Sequence, residues 1–252
     1  MIESCLYRKL SHYVEIDDDT WDILARLEEN EESYSANAVV RDIGTSADEL
    51  FVVKSGWFYS FVLLPDGRRQ IVSICHPGDV VGFADIAYNK ACDTLVAAND
   101  GVLCPFPKQY LDRVFTDAPR VAALLFTLAV RDQVLLTDLL KAIGRMSARE
   151  KLAYFLLELD ARQRITNPEK TSFRLPLNQT EIGDTIGLTN VYVSKSLVAL
   201  EQQGLVSRKE GEITILAPDV MAEMCDFQDR HAQMDVSWFP GPREDLHGSD
   251  KN

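Results

Sequence analysis

Residues 177–205, LNQTEIGDTIGLTNVYVSKSLVALEQQGL, are the stretch on which the fold turns. Asn178 with Glu181 three positions later is a capping box: the Asn side chain accepts from the backbone of the first turn and the Glu reaches back to the cap. It opens a short helix with Ile182 and Ile186 inward, and Gly187 ends it in a left-handed conformation. After a short turn Thr189 caps a second helix, in which Val193, Leu197 and Leu200 form one buried stripe. Its other face carries Asn190, Val191, Tyr192, Ser194, Lys195 and Ser196. Asn reads adenine edges, Lys donates to guanine O6 and N7, and Val191 suits a thymine methyl, so this face fits a DNA major groove. Residues 205–208 and 213–216 then pair around Glu210-Gly211 as a wing, with Arg208 and Lys209 placed for phosphates.

Upstream, Ser147 and Glu150 make a second capping box, opening a helix with Leu152, Phe155, Leu156 and Leu159 inward. A fresh cap there marks a hinge near residues 144–146. Before it, residues 118–143 read as one long helix, because Val121, Leu125, Leu128, Leu135, Leu139 and Ala142 keep three- and four-residue spacing. The apolar stripe is wide enough to serve both the chain's own core and a second copy, so these six positions are the expected interface of a parallel homodimer. Between about residues 39 and 104 the pattern changes to short strands at 50–53, 57–64, 69–74 and 94–98, rich in β-branched and aromatic residues. Leu64-Pro65-Asp66-Gly67 turns two of them into a hairpin. A short helix precedes them, with Thr20 as its cap and Trp21, Leu24 and Leu27 on one face.

The class expected is α+β: an N-terminal antiparallel, jelly-roll-like β-roll (1–117), a dimerisation helix (118–145), a winged helix-turn-helix (146–218) and an acidic helical extension with a disordered tail (219–252). In the tail, Val220, Met224 and Phe227 form a weak helical stripe with Met221 beside it.

Composition bears on function through its distribution. The 252 residues carry a formal net charge of −13, which taken alone argues against nucleic acid. Counted by segment, residues 1–120 hold −9 and 219–252 hold −5, while 147–218 are neutral and can present a local basic edge. The longest apolar run, 121–130, falls short of the ~20 residues of a bilayer span, and the N-terminus has no secretory pattern, so a cytoplasmic protein is expected. Five scattered cysteines without C-x-x-C spacing signal neither disulfides nor a metal site.

The segments 181–206 and HPGDVVGFADI (76–86), with Ser55-Gly56-Trp57 and Pro65-Asp66-Gly67, resemble the Crp/Fnr superfamily of bacterial transcription regulators. The resemblance implies a homodimeric regulator binding a palindromic operator in double-stranded DNA, no enzyme, with RNA polymerase as a further candidate partner. It places Asn190, Val191, Ser194 and Lys195 at bases, and Gln179, Thr189 and Tyr192 with Arg208 and Lys209 at phosphates. The effector pocket would fall at Gly82, Phe83, Ala84, Cys92, Asp93, Thr94 and Thr137. Cyclic-AMP-binding members carry a Glu after the pocket Gly and an Arg about ten residues later; here Phe83 follows Gly82 and the later region reads Ala91-Cys92-Asp93. A buried cyclic phosphate would lack its counter-charge, so cyclic AMP is not the expected effector. In the recognition helix Val191 and Lys195 replace the family's frequent Glu and Arg, which implies a different half-site. No cofactor or metal is expected. A cyclic-nucleotide- or haem-responsive regulator stays open as an alternative. A cupin-type metalloenzyme fused to a DNA-binding domain is disfavoured, since of His12, His76, His231 and His247 only His76 lies in the roll.

Overall fold

The computed structural model describes residues 4–232 and 234–241, apart from the Asp19 side chain. The chain begins with α1 (Cys5–Leu10) and α2 (Asp18–Leu27). Asp17, not Thr20, caps α2: its carboxylate accepts from the Thr20 backbone, because the cap residue must precede the first helical turn.

Eight strands follow: β1 (Glu32–Tyr34), β2 (Val39–Arg41), β3 (Glu49–Ser55), β4 (Phe58–Leu63), β5 (Arg69–Cys75), β6 (Val80–Val81), β7 (Thr94–Ala97) and β8 (Gly101–Pro107). They form two four-stranded antiparallel sheets, ordered β1-β8-β3-β6 and β2-β7-β4-β5. The chain switches sheet repeatedly, which makes a roll, and Phe51, Val53, Phe58, Leu95 and Leu103 fill the space between the sheets. The β4–β5 hairpin turns at residues 64–67, as its turn residues require.

After α3 (Leu111–Asp117) the chain runs into α4 (Pro119–Arg145), 27 residues without a break. Met146 and Ser147 are extended, and Ser147 caps α5 (Ala148–Thr166) through the expected box with Glu150. The winged region comprises β9 (Ser172–Arg174), α6 (Gln179–Ile186), α7 (Asn190–Gln202), β10 (Val206–Lys209) and β11 (Glu212–Ile215). β9, which the sequence pattern does not disclose, pairs with β11 as a third strand of the wing sheet. The chain then forms α8 (Pro218–Cys225), which buries Met221 and Cys225; Val220 faces solvent, so the inward stripe is one residue out of phase with the expected one.

Two apolar clusters bind the parts together. One joins Leu6, Leu10, Leu24 and Leu27 to Val121, Leu124, Leu125 and Leu128 of α4. The other joins Tyr59, Ile71 and Ile74 of the roll to Leu152, Phe155, Ile182 and Ile186. Each fully buried Leu or Ile contributes ~1.5–3 kcal/mol. The roll and the winged region therefore share a continuous core. It follows that Val121, Leu125, Leu128 and Ala142, expected at a dimer interface, are buried inside the chain itself, and Leu135 and Leu139 are half-buried. The expected stripe is the inward one; the exposed apolar residues of α4 are Phe126, Val130, Val134, Leu136 and Leu140. The expected disordered end is WFPGPREDLHGSDKN, 238–252; residues 242–252, His247 among them, lie outside the described residues. At 238–241 the expectation is overturned, since Phe239 is buried and the Pro240 carbonyl accepts from Arg120, and the preceding segment packs through Phe227, His231, Met234 and Val236.

Between α6 and α7 the backbone doubles back so tightly that a Cβ on Gly183 would lie 2.3 Å from the Leu188 carbonyl oxygen. Gly183 is mid-helix, where alanine normally gains ~0.5–1 kcal/mol of helix propensity. The obstacle here is backbone, which cannot yield as a side chain can, so the clash outweighs the propensity. Gly183→Ala is expected to destabilise by ~1–3 kcal/mol, read as a lower urea midpoint with unchanged slope. A midpoint at or above that of the parent would show that the turn has room.

Candidate nucleic-acid interface and effector cavity

The first helix of the pair is fixed by local chemistry. Asn178 Oδ1 accepts from Thr180 N at 2.9 Å and Glu181 N at 3.0 Å, and Asn178 N donates to Glu181 Oε2 at 2.8 Å. Gly187, at φ +66°, closes α6 in the left-handed region that only glycine adopts freely. The Tyr192 amide donates to Thr189 Oγ1 at 3.4 Å, so Thr189 caps α7.

Helix α7 divides as the sequence indicates. Val193, Leu197 and Leu200 are buried, while Asn190, Val191, Tyr192 and Lys195 are exposed and Ser194 is half-buried. Ser196 is the exception: it is buried, because its position falls on the Val193–Leu200 side of the helix, so it cannot reach DNA. Gln179, Thr189 and Lys209 are exposed beside this face. The first turn of α7 has no acidic residue, leaving the positive end of its helix dipole uncompensated next to the Thr189 hydroxyl, a favourable place for a phosphate. Lys195 lies 6.0 Å from the Tyr192 ring centroid. Among the described residues no carboxylate is within ion-pair distance of Lys195 or Lys209. Arg208 differs: its Nε and Nη2 donate to the two carboxylate oxygens of Glu201 at 2.9 and 2.6 Å. A phosphate can recruit Arg208 only in competition with that fork.

The winged unit is seated on the roll. Arg69 Nε of β5 donates to Asp184 Oδ2 at 2.8 Å, and Gln70 Nε2 donates to the Thr185 carbonyl at 3.1 Å. Tyr59 OH donates to Glu181 Oε1 at 3.4 Å. These contacts hold the back of α6 and leave the groove-facing side of α7 clear.

A cavity of about 540 Å³ lies between the roll, α4 and α5. Gly82, Phe83, Ala84 and Asp93 line it, with Arg41, Asp79 and Arg162 and a wall of Leu125, Leu128, Leu135 and Leu139. Three expected lining residues do not reach it. Cys92 is exposed, its amide donating to Asp85 Oδ1 at 2.8 Å; Thr94 Oγ1 accepts from Ile43 N at 3.1 Å; and Thr137, on the outer side of α4, donates to its own helix at the Gln133 carbonyl. Sequence reading missed the determinant of this site, the buried Arg41–Asp85 ion pair. Arg41 comes from β2, so no local motif could reveal it. Burial pushes the Asp93 carboxyl above the usual carboxylate range, with the Ser60 hydroxyl bond opposing. A phosphate entering beside Phe83 would meet the Asp85 and Asp93 carboxylates, with the Arg41 and Arg162 guanidiniums already paired to Asp85 and Asp79.

Among the described residues no three His, Cys, Asp or Glu side chains come together as a metal site, and no helix is long and apolar enough to cross a membrane. His12 is exposed; His76 packs edge-on against Trp57, ring centroids 4.0 Å apart; and His231 Nε2 is 3.0 Å from Glu158 Oε1.

Comparison with known proteins accords with this geometry. Residues 31–118 match the cyclic nucleotide-binding domain and residues 150–224 the Crp-like helix-turn-helix domain. The chain is 33% identical over 178 residues to the nitrogen fixation regulation protein FixK of Bradyrhizobium diazoefficiens, covering 70% of this chain and 73% of that protein. It is 31% identical over 174 residues to the transcriptional activatory protein AadR of Rhodopseudomonas palustris, covering 68% of this chain and 71% of the other. The solved structure of FixK2 from Bradyrhizobium japonicum superposes with a TM-score of 0.70 at 27% identity, covering 77% of this chain and 96% of that one. A CooA variant from Carboxydothermus hydrogenoformans shares the fold, with a TM-score of 0.65 at 19% identity over 89% of this chain and 97% of that one. With a capped helix pair, a wing and a nucleotide-binding-type roll on one chain, and with these relatives, the protein belongs to the Crp/Fnr family of DNA-binding transcription regulators.

Proposed function

We propose that the chain acts in the cytosol as a homodimer that reads a two-fold-symmetric operator, with a sensor roll that does not take cyclic AMP. The observation that carries the reading is the exposed face of α7 from Thr189 to Lys195, which bears a cap hydroxyl, an amide and an unpaired ammonium with no acidic side chain. Asn190, Val191, Ser194 and Lys195 read bases; Gln179, Thr189, Tyr192 and Lys209 hold phosphates, with Arg208 joining when it leaves Glu201. RNA polymerase is the machinery such binding would influence. The division of labour follows the segments 1–117, 118–145, 146–218 and 219–252.

Selection from a random DNA pool is expected to return an inverted repeat with half-site centres about one helical turn apart. Lys195→Ala is expected to cost ~1–3 kcal/mol and relax preference at one position, whereas Lys209→Ala weakens all sequences alike. A pool without a repeated half-site would overturn the reading.

For the dimer the exposed stripe of α4 matters. Positions 126, 130, 133, 137 and 140 alternate four- and three-residue steps, the seam of a parallel coiled coil, and Phe126 and Leu140 are 61% and 70% exposed. Leu140→Glu places two carboxylates face to face on that seam. It is expected to sediment as a monomer at micromolar concentration and to lose operator binding; a persistent dimer would place the interface elsewhere.

The effector reading rests on Asp85, Asp93 and the paired Arg41. Calorimetric titration with cyclic AMP is expected to give no heat of binding at millimolar ligand, and micromolar affinity would refute it.

A further inference from the structure

The helix-turn-helix match ends at residue 224, yet the chain continues as an ordered strand of contacts. Asp226, at φ +48°, reverses the chain after α8. Phe227 packs on Tyr154 of α5, ring centroids 5.8 Å apart. Asp226 Oδ2 then pairs with Lys141 Nζ at 3.1 Å, and Arg230 Nε with Asp138 Oδ2 at 3.0 Å, both partners on α4. His231, 1% exposed, meets Glu158 of α5. Met234 and Val236 pack against the cluster formed by α1, α2 and the first turns of α4, Phe239 is buried within it, and Arg120 Nη1 donates to the Pro240 carbonyl at 3.0 Å. The contacts on α4 descend from residue 141 to residue 120, so the segment runs antiparallel to the helix for ~30 Å at 1.5 Å per residue.

Two geometric facts give this path its meaning. The segment bridges the backbone link between α4 and α5, the extended pair Met146-Ser147, and grips both sides of it. Residues 120 and 138 also lie five turns apart on one flank of α4, away from Phe126 and Leu140, so those two contacts leave the proposed dimer seam free, and the Lys141–Asp226 pair borders it. The ionic part continues inward: Glu158 lies beside Arg162, whose Nη2 donates to Asp79 Oδ2 at 2.7 Å, and Asp79 pairs with Lys9. Burial would raise the Glu158 carboxyl, but the His231 hydrogen bond and the Arg162 charge outweigh it and hold it at about 2, so the carboxylate end of the His231 contact is ionised across the working pH range.

We propose that the segment after α8, through its described residues 226–232 and 234–241, forms an intramolecular strap that fixes the winged unit against α4 and the roll, and that operator affinity depends on it. The proposal rests on the dimeric operator-binding reading. Two recognition helices must be presented one DNA turn apart, and a two-residue hinge held only by the contacts of α5 and α6 with the roll would leave them a wider range of orientations than one also strapped to α4. Apparent affinity then falls by the fraction of dimers in the matching arrangement.

The test compares the full chain with a His231→Ala/Phe239→Ala double variant, which retains α8 and the Phe227 contact, and with a chain ended after Cys225. Three readouts are taken: affinity for the selected operator, affinity for random-sequence DNA, and amide hydrogen exchange at residues 144–149. Expected for both variants is a loss of operator affinity of about tenfold or more, random-DNA affinity within about twofold, and faster exchange at the junction. Operator affinity and exchange unchanged in the double variant would overturn the proposal, as would tighter operator binding, which would make the segment an inhibitory latch. If the parent chain binds no DNA, the operator reading fails by itself, and junction exchange still decides whether the strap fixes the hinge. Should the truncated chain fail to fold, the double variant decides.

Discussion

The Asp79 carboxylate is the point at which three parts of the chain are tied. It is buried, and a buried carboxylate is tolerated only when paired and hydrogen-bonded. Lys9 of α1 pairs with one oxygen; Arg162 of α5 and the His76 amide, at 2.7 Å, donate to the other. Burial alone would raise its pKa, but the Arg162 and Lys9 charges outweigh burial and hold the group ionised. Removing one partner from such an arrangement leaves an uncompensated charge and costs ~3–5 kcal/mol. The residue that makes the arrangement possible is Gly78, at φ +86°, where a Cβ would lie 2.7 Å from the Cys5 carbonyl oxygen and 2.9 Å from Lys9 Cβ. Any side chain at that position would lift α1 off the roll and take Lys9 away from Asp79.

From this tie the placement of the functional parts follows. α5 is held to the roll at Arg162, and α6 is held to β5 at Asp184 and Thr185, so the recognition helix projects from a body fixed on two sides. The cavity lies between the same elements, bounded by Asp79 and Arg162 on one side and by Asp85 and Asp93 on the other. A ligand filling it would touch the roll, α4 and α5 together. That is the geometry through which a sensor roll can bias the position of a DNA-binding unit.

What the sequence discloses is set by distance along the chain. The boxes Asn178/Glu181 and Ser147/Glu150, the Gly187 terminus, the wing turn at 210–211 and the 27-residue helix are local, and each is found where spacing puts it. HPGDVVGFADI was legible as a family signature, but not why its Asp matters, since Lys9 and Arg162 lie 70 and 83 residues away. The same limit hid the Arg41–Asp85 pair, 44 residues apart, and the packing of Phe239. On α4 periodicity located one wide apolar stripe without saying which part of it faces inward, because Leu and Val recur around the helix and only the roll decides. Gly183 escaped notice for a different reason: a glycine in a helix is ordinarily a weakness, and only the returning backbone at Leu188 makes it a requirement.

Electrostatics gives the fixed orientation its importance. A net charge of −13 denies the protein the general attraction to phosphate that lets a basic regulator bind while tolerating poor alignment. The acidity is placed away from the recognition face, mostly in residues 1–120 and 219–252, and the acid nearest that face on α7, Glu201, is neutralised by Arg208. What remains for DNA is a small set of groups: the Thr189 end of a helix dipole, Asn190, Lys195 and Lys209. With so few favourable contacts and a repulsive background, affinity cannot be recovered from non-specific terms when the groups are misplaced. A chain of this composition therefore gains more from the contacts that immobilise its winged unit, at Asp79, Arg69 and along α4, than a strongly basic chain of the same fold would.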